Sequence, residues 1–239
     1  MSTAAITIKQ LEKNYGPSPV LEQLELSLVT GEFVGLVGEN GAGKTTLINC
    51  ILDFCSINAG NIHIFNVDHH QTKARERLTY LPEKFSPPYF MTGLDYLKYM
   101  AGLHDVQFNT RAVEQCLTEL DLDKSALHKP VKHYSKGMGQ KLGLAACFLS
   151  NKELMIFDEP MSGLDPKARA LLKRYLLQLK KQNKTLFYST HLLEDVEALC
   201  DRVLILHDGQ ICFTGTTDEC CSTFHAPDFE SAYLVCVNR

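Results

Sequence analysis

The stretch VGENGAGKTTL, residues 37–47, decides the fold. Its core, Gly38-Glu39-Asn40-Gly41-Ala42-Gly43-Lys44-Thr45, fits the pattern G-x-x-x-x-G-K-[ST]. An apolar run, FVGLV at 33–37, reads as a buried strand before it, and residues 44–54 read as a helix after it. Strand, glycine loop and helix in that order form the setting in which this pattern binds polyphosphate. Gly41 and Gly43 let backbone N–H groups turn inward, and the helix N-terminus presents its positive dipole end to an anion. Lys44 can reach the β- and γ-phosphates and the Thr45 hydroxyl suits Mg²⁺, with Asn40, Ala42 and Thr46 completing the cradle. The alternative is a turn that merely happens to be rich in glycine.

The rest of the composition is that of a globular chain. Of 239 residues 45% are hydrophobic and 22% charged, enough for one large domain or a domain with a substantial insert. A net charge of -4, from 24 basic and 28 acidic residues, gives no general attraction to nucleic acid, so no nucleic-acid partner is expected. The opening MSTAAITIKQ lacks the basic start and apolar core of a secretory signal. The longest apolar run, LGLAACFL at 142–149, falls far short of the roughly 20 residues that span a bilayer. Work at a membrane would need another chain to do the spanning.

Nine cysteines without C-x-x-C spacing fit a reducing cytoplasm. Cys50, Cys147, Cys200 and Cys212 lie in apolar stretches and read as small hydrophobes. Cys220-Cys221, near His225, makes a poor pair of joint metal ligands, and His69-His70 reads as an exposed, solvated pair after a strand.

Residues 4–37 read as strands broken at Gly16-Pro17-Ser18-Pro19 and at Thr30-Gly31-Glu32. Another short strand, NIHIF, follows Asn58-Ala59-Gly60. From about 83 to 140 the pattern turns helical, with LDYLKYMAGL and RAVEQCLTELDL at helical period, as an insert into the core. The core, about 1–82 and 141–216, resumes with a helix at 139–149 after a Ser135-Lys136-Gly137 turn. Strand LMIFD, a helix near 167–182, strand TLFYST and a helix near 192–200 follow. A hairpin turning at Asp208-Gly209 closes it. Residues 217–239 remain as a short tail, with little room for a regulatory domain. The expected fold class is α/β: a phosphate-loop nucleotide-hydrolase core with a mainly parallel sheet, an N-terminal antiparallel β subdomain and an inserted α-helical subdomain.

LMIFDEP, residues 154–160, adds a second signal. A buried strand delivers Asp158 and Glu159 to its carboxyl end, where open α/β sheets bind ligands. Asp158 would hold the magnesium, directly or through water. Glu159, pointing the other way along the pleat, could polarise an attacking water as general base. A solvated acidic turn is the plain alternative. His191, after TLFYST, stands where an imidazole can donate to a γ-phosphate, although a lone histidine there is as readily structural.

Tyr134-Ser135-Lys136-Gly137-Met138, followed by Gly139-Gln140-Lys141-Leu142, resembles the signature motif of ATP-binding cassette (ABC) ATPases, usually L-S-G-G-Q. Ser162-Gly163-Leu164-Asp165 resembles that family's D-loop, with Asp165 among its nucleotide-site residues. Ser189-Thr190-His191 resembles its switch, and Tyr15, 29 positions before Lys44, its adenine-stacking aromatic. These ordered motifs cover about residues 5–216. The resemblance implies two cassettes packed head to tail on two ATP molecules. The Ser135 hydroxyl, the Gly137 N–H and a helix dipole would then grip the γ-phosphate of the other chain.

It further implies a separate integral-membrane permease, at whose cytoplasmic face the chain would sit. The Tyr-Ser-Lys-Gly-Met variant resembles cassettes of the ABC-2 exporter type, whose cargo would be lipid, drug, polysaccharide or a maturation factor for a metalloenzyme. Lys136 and Met138 depart from the usual signature, and Glu83, in Tyr80-Leu81-Pro82-Glu83, stands at the Q-loop position, where it can still contact Mg²⁺ or water. Tyr89, Phe90 and Met91 would either meet a permease or hold the insert on the core. A soluble cassette with a non-transport role and a weakly hydrolysing scaffold are the rival readings.

Overall fold

The computed structural model describes residues 3–238. Two long strands, β1 (Ala4–Tyr15) and β2 (Ser18–Val29), form an antiparallel hairpin whose turn starts at Gly16, φ +62°. The second strand thus takes in Ser18 and Pro19, which the sequence assigned to the break; Tyr15 pairs with Ser18 and Asn14 with Pro19. β3 (Phe33–Val37) leads into the phosphate loop and α1 (Lys44–Ile51). β4 (Ala59–Ile64) and the two-residue β5 (Val67–Asp68) extend the hairpin into a four-stranded antiparallel sheet ordered β2-β1-β4-β5. β6 (Leu78–Leu81) then enters the second sheet.

The insert holds α2 (Gly93–Leu103) and α3 (Thr110–Glu119), capped by Thr92 and Asn109, and then short 3-10 turns. α4 (Lys136–Leu149) begins three residues earlier than the sequence indicated. Ser135-Lys136-Gly137 is therefore no free turn: Ser135 caps the helix, its hydroxyl accepting the Met138 N–H at 3.2 Å. The same helix runs across the expected boundary at 140/141.

β7 (Leu154–Asp158), α5 (Pro166–Lys181), β8 (Thr185–Thr190), α6 (Leu193–Leu199), β9 (Arg202–His207) and β10 (Gln210–Gly215) complete the core. The second sheet is ordered β10-β9-β3-β8-β7-β6, parallel except for β10. Asp208 and Gly209 both take positive φ, +45° and +75°, as a primed hairpin turn requires. The tail forms α7 (Thr217–Phe224), opened by a Thr216–Glu219 capping box, and α8 (Phe229–Val237).

The apolar strands are buried on both faces, as a parallel sheet between helices demands. Period two divides them. Leu154, Ile156 and Phe187 face α1 and the antiparallel sheet, while Met155, Phe157, Leu186 and Tyr188 face α4, α5 and α6. Phe157 meets Phe148 of α4 edge-on, centroids 6.0 Å apart. This clamp fixes the carboxyl end of β7 beside that of β3, one strand away across β8.

Three readings of the sequence are corrected here. α1 stops at Ile51, because Asp53 turns out of the helix at φ +60°. Cys212 is exposed, since β10 is an edge strand with alternate residues in solvent. His69 is buried, 1% exposed, and only His70 of the pair faces water. Burial pushes the His69 imidazole's pKa down and keeps it neutral. Among the described residues no helix is long and apolar enough to cross a membrane.

Candidate functional site

The carboxyl ends of β3, β7 and β8 meet at a cavity of about 410 Å³. Gly43, φ +106°, stands immediately before α1, and Gly41 takes φ +92°. Both conformations are ones that residues with a Cβ rarely adopt, and a glycine loop needs such conformations to turn its N–H groups towards an anion. No acidic side chain occupies the first turn of α1, so its positive end is left for an anion.

Lys44 is held over the loop, Nζ donating to the carbonyls of Gly38 at 2.7 Å and Glu39 at 3.0 Å. Burial pushes its pKa down, against the attraction of Glu159, Asp158 and Glu83, in that order. The Thr45 hydroxyl donates to Asp158 Oδ2 at 2.8 Å, and Ser189 donates to Asp158 Oδ1. Thr45 and the 1%-exposed Asp158 offer two hard oxygen donors, with the Glu83 carboxylate on the same cavity wall. That donor set fits Mg²⁺, which takes one or two carboxylates and keeps the remaining positions for water and phosphate.

Glu159 corrects the expectation of an ordinary pleat. β7 ends at Asp158, and Glu159 takes φ +49°, its N–H donating to the Ser189 carbonyl at 3.2 Å and hydroxyl at 3.1 Å. A left-handed glutamate is strained, and such strain gathers at functional sites. The turn sends its carboxylate towards His191, whose Nδ1 lies 2.9 Å from Glu159 Oε2.

Asn40, Gly41, Gly43, Lys44, Thr45 and Thr46 line this cavity, as do Glu83, Asp158, Glu159 and His191. Ala42 lies in the loop but is buried beneath it. Tyr15 stands outside, 52% exposed, with Lys13 Nζ 4.6 Å from its ring centre. Ser135 lines another cavity of about 570 Å³ in the wall of the insert, and neither it nor Gly137 lines the phosphate-loop cavity. The Asp165 carboxylate accepts the Ala168 N–H at 2.9 Å and caps α5, whose first residue is Pro166. Ser162, from the stretch that resembles a D-loop, also lines the site, and so does Val20, which the sequence did not point to; Val20 comes from the far end of the antiparallel hairpin, and no local pattern marks it.

Two contacts join the signature helix to the acidic turn. Buried Gln140 donates to the Pro160 carbonyl at 3.0 Å, and Lys136 Nζ donates to Ser162 Oγ at 3.2 Å across Gly163. Lys136, which departs from the usual signature, thus ties that motif to its own chain's D-loop.

A profile of the ABC transporter family matches residues 21–162. The chain belongs to that family. It is 36% identical over 203 residues to an uncharacterised ABC transporter ATP-binding protein of Synechocystis, covering 83% of this chain but 57% of that one. The chain therefore spans less than two thirds of that relative's length. EcsA of Bacillus subtilis, an ABC-type transporter ATP-binding protein, is 33% identical, with 93% and 92% covered. A solved ATP-binding subunit of an ABC transporter superposes with a TM-score of 0.89 at 30% identity, over 97% of this cassette and 99% of that chain. A cassette solved as a dimer with ADP and Pi shares the fold at TM-score 0.80 and 21% identity, with 88% and 98% covered.

Glu83 in this cassette sets a test. Its charge helps to keep Lys44 protonated, so Glu83→Gln lowers the Lys44 pKa further. The cation is then lost at a lower pH, and the alkaline limb of ATP binding moves down the pH scale. Activity is retained, with a changed Mg²⁺ dependence. Superimposable pH and Mg²⁺ profiles for wild type and variant would mean that the Glu83 charge has no part in binding or hydrolysis.

Proposed function

We propose that this cassette hydrolyses ATP, closes head to tail on a second copy around two ATP molecules, and powers a separate membrane permease of the ABC-2 exporter kind from the cytoplasmic face. The observation that carries the reading is the division of the motifs. Lys44, Thr45, Asp158, Glu159 and His191 share one cavity, while exposed Ser135 and half-exposed Gly137 open α4 outside it, where a second chain's nucleotide can meet them.

Lys44 and the N-terminus of α1 bind the phosphates, and Tyr15 offers an exposed ring to the adenine. Thr45 and Asp158 would hold Mg²⁺, which supplies charge neutralisation along the triphosphate. Glu159 takes the proton of the attacking water, and His191 orients that carboxylate while its exposed ring reaches the γ-phosphate. From the other chain come the Ser135 hydroxyl, the Gly137 N–H and the dipole of α4. ATP thus binds the closed pair better than the open one, and that difference in affinity is what can move a partner.

Tyr89 and Phe90, each 71% exposed beside the Ser135 cavity, support docking of a membrane partner; Met91 turns in against the core. The test is a tagged pull-down from detergent-solubilised membranes, with bound chains identified by mass spectrometry. A stoichiometric polytopic protein is expected. Recovery of ribosomal or DNA-associated proteins alone, or of nothing, would leave an ATPase without a transport role.

A further inference from the structure

The buried histidine at the far end of α1 serves none of this chemistry. Asp53, leaving the helix in its left-handed turn, carries its carboxylate to the segment after β5. There His70 Nδ1 lies 2.9 Å from Asp53 Oδ1, and the Arg75 guanidinium 3.7 Å from Oδ2. The His69 ring lies against that of His70, centroids 3.9 Å apart.

His69 Nδ1 stands 3.2 Å from the Ile62 carbonyl oxygen. A carbonyl only accepts, so this nitrogen carries the proton and Nε2 carries the lone pair. That Nε2 is buried with no hydrogen-bond partner among the described residues. One ligand atom from each of Asp53, His69 and His70 lies within 4.8 Å of the other two.

We propose that Asp53, His69 and His70 form a binding site for a divalent transition-metal ion of the zinc class. Two imidazoles and a carboxylate select zinc and its neighbours over magnesium or calcium, which prefer oxygen alone. The bond from His69 to the Ile62 carbonyl is the outer support that metal-binding histidines use to fix tautomer and ring angle. Arg75 gives the same support on the other side, donating to the His69 carbonyl at 2.6 Å while facing the Asp53 carboxylate.

Ligand atoms around a tetrahedral ion stand roughly 3.4 Å apart, so three atoms that already lie within 4.8 Å of one another need shifts of no more than about 1.5 Å to meet one ion. The fourth position stays open to water. The ion would sit at the C-terminal end of α1, where the helix dipole favours a cation, and would join the phosphate-loop helix to the β5 turn.

The experiment is equilibrium binding of Zn²⁺ to the whole chain in excess MgADP, which keeps the phosphate-loop carboxylates engaged. One Zn²⁺ per chain is expected, bound at least about tenfold more weakly in Asp53→Asn and in His70→Ala. Asparagine tolerates the positive φ of Asp53, and His70 is exposed, so each variant keeps its fold, with circular dichroism and MgADP affinity as controls. Co²⁺ in place of Zn²⁺ should show ligand-field bands without thiolate charge transfer. Absence of stoichiometric binding, undiminished binding in both variants, or thiolate bands from the cysteines would each overturn the site. None of these readouts depends on transport.

Discussion

Glu159→Gln should lower steady-state ATP hydrolysis by about 100- to 10,000-fold while leaving ATP binding intact. The amide keeps the length and shape of the side chain, and its oxygen can still accept from His191 across the 2.9 Å contact. It cannot take a proton from water. It also removes a negative charge beside the position of the γ-phosphate, so ATP in the closed pair is held at least as well as before. Bound ATP that is not consumed keeps two chains together. Light scattering should therefore give a monomer without nucleotide and a persistent dimer with MgATP, in the variant but not in the turning-over wild type.

The same variant separates an ATPase from a scaffold. A cassette that only binds ATP would show the same oligomeric state with glutamate or glutamine at 159, and a basal rate too low for the substitution to change. The left-handed backbone at Glu159 argues for the active reading, because strain held by two hydrogen bonds to Ser189 has no evident structural purpose. Equal rates and equal dimer fractions in the two proteins would end the general-base assignment.

Much of this site was legible because its parts are local in sequence. The phosphate loop, the DEP turn and the strand before His191 each carry their pattern within a few residues, and a parallel sheet brings strand ends together without further information. The buried runs FVGLV, LMIFD and TLFYST also announced central strands. What could not be read depends on distant neighbours. The left-handed turn at Glu159 follows from where Ser189 stands, and the burial of His69 from the carbonyl of Ile62 on β4. Asp53 ends α1 three residues before the expected boundary because its turn faces the β5 segment, which nothing in residues 44–54 shows. Val20 reaches the cavity only because the antiparallel sheet folds over the loop.

Gly38 is a further case, and it yields the other large effect. The pattern explains its glycines by phosphate contact, but this one is set by the sheet. A Cβ on Gly38 would collide with the Leu206 carbonyl oxygen of β9 and come within 3.2 Å of the Ala42 Cβ. β9 pairs with β3 up to Val37↔Ile205, so the obstructing atom belongs to a central strand that cannot yield without parting the ladder. Gly38→Ala should therefore cost about 1–3 kcal/mol, lowering the melting temperature by about 2–12 °C. It also displaces the carbonyl that receives Lys44 Nζ at 2.7 Å, so nucleotide affinity should fall with stability. Gly41→Ala is the internal comparison. Its φ of +92° disfavours alanine, but nothing lies within 4 Å of the added carbon and the exposed loop can relax. Its melting point should fall by less than that of Gly38→Ala, because alanine there carries only the strain of the left-handed backbone, about 1–2 kcal/mol, with no collision added. Melting curves of the two variants without nucleotide make the measurement. Equal shifts would mean that the loop, and not the approach of β9, sets the requirement for glycine at 38.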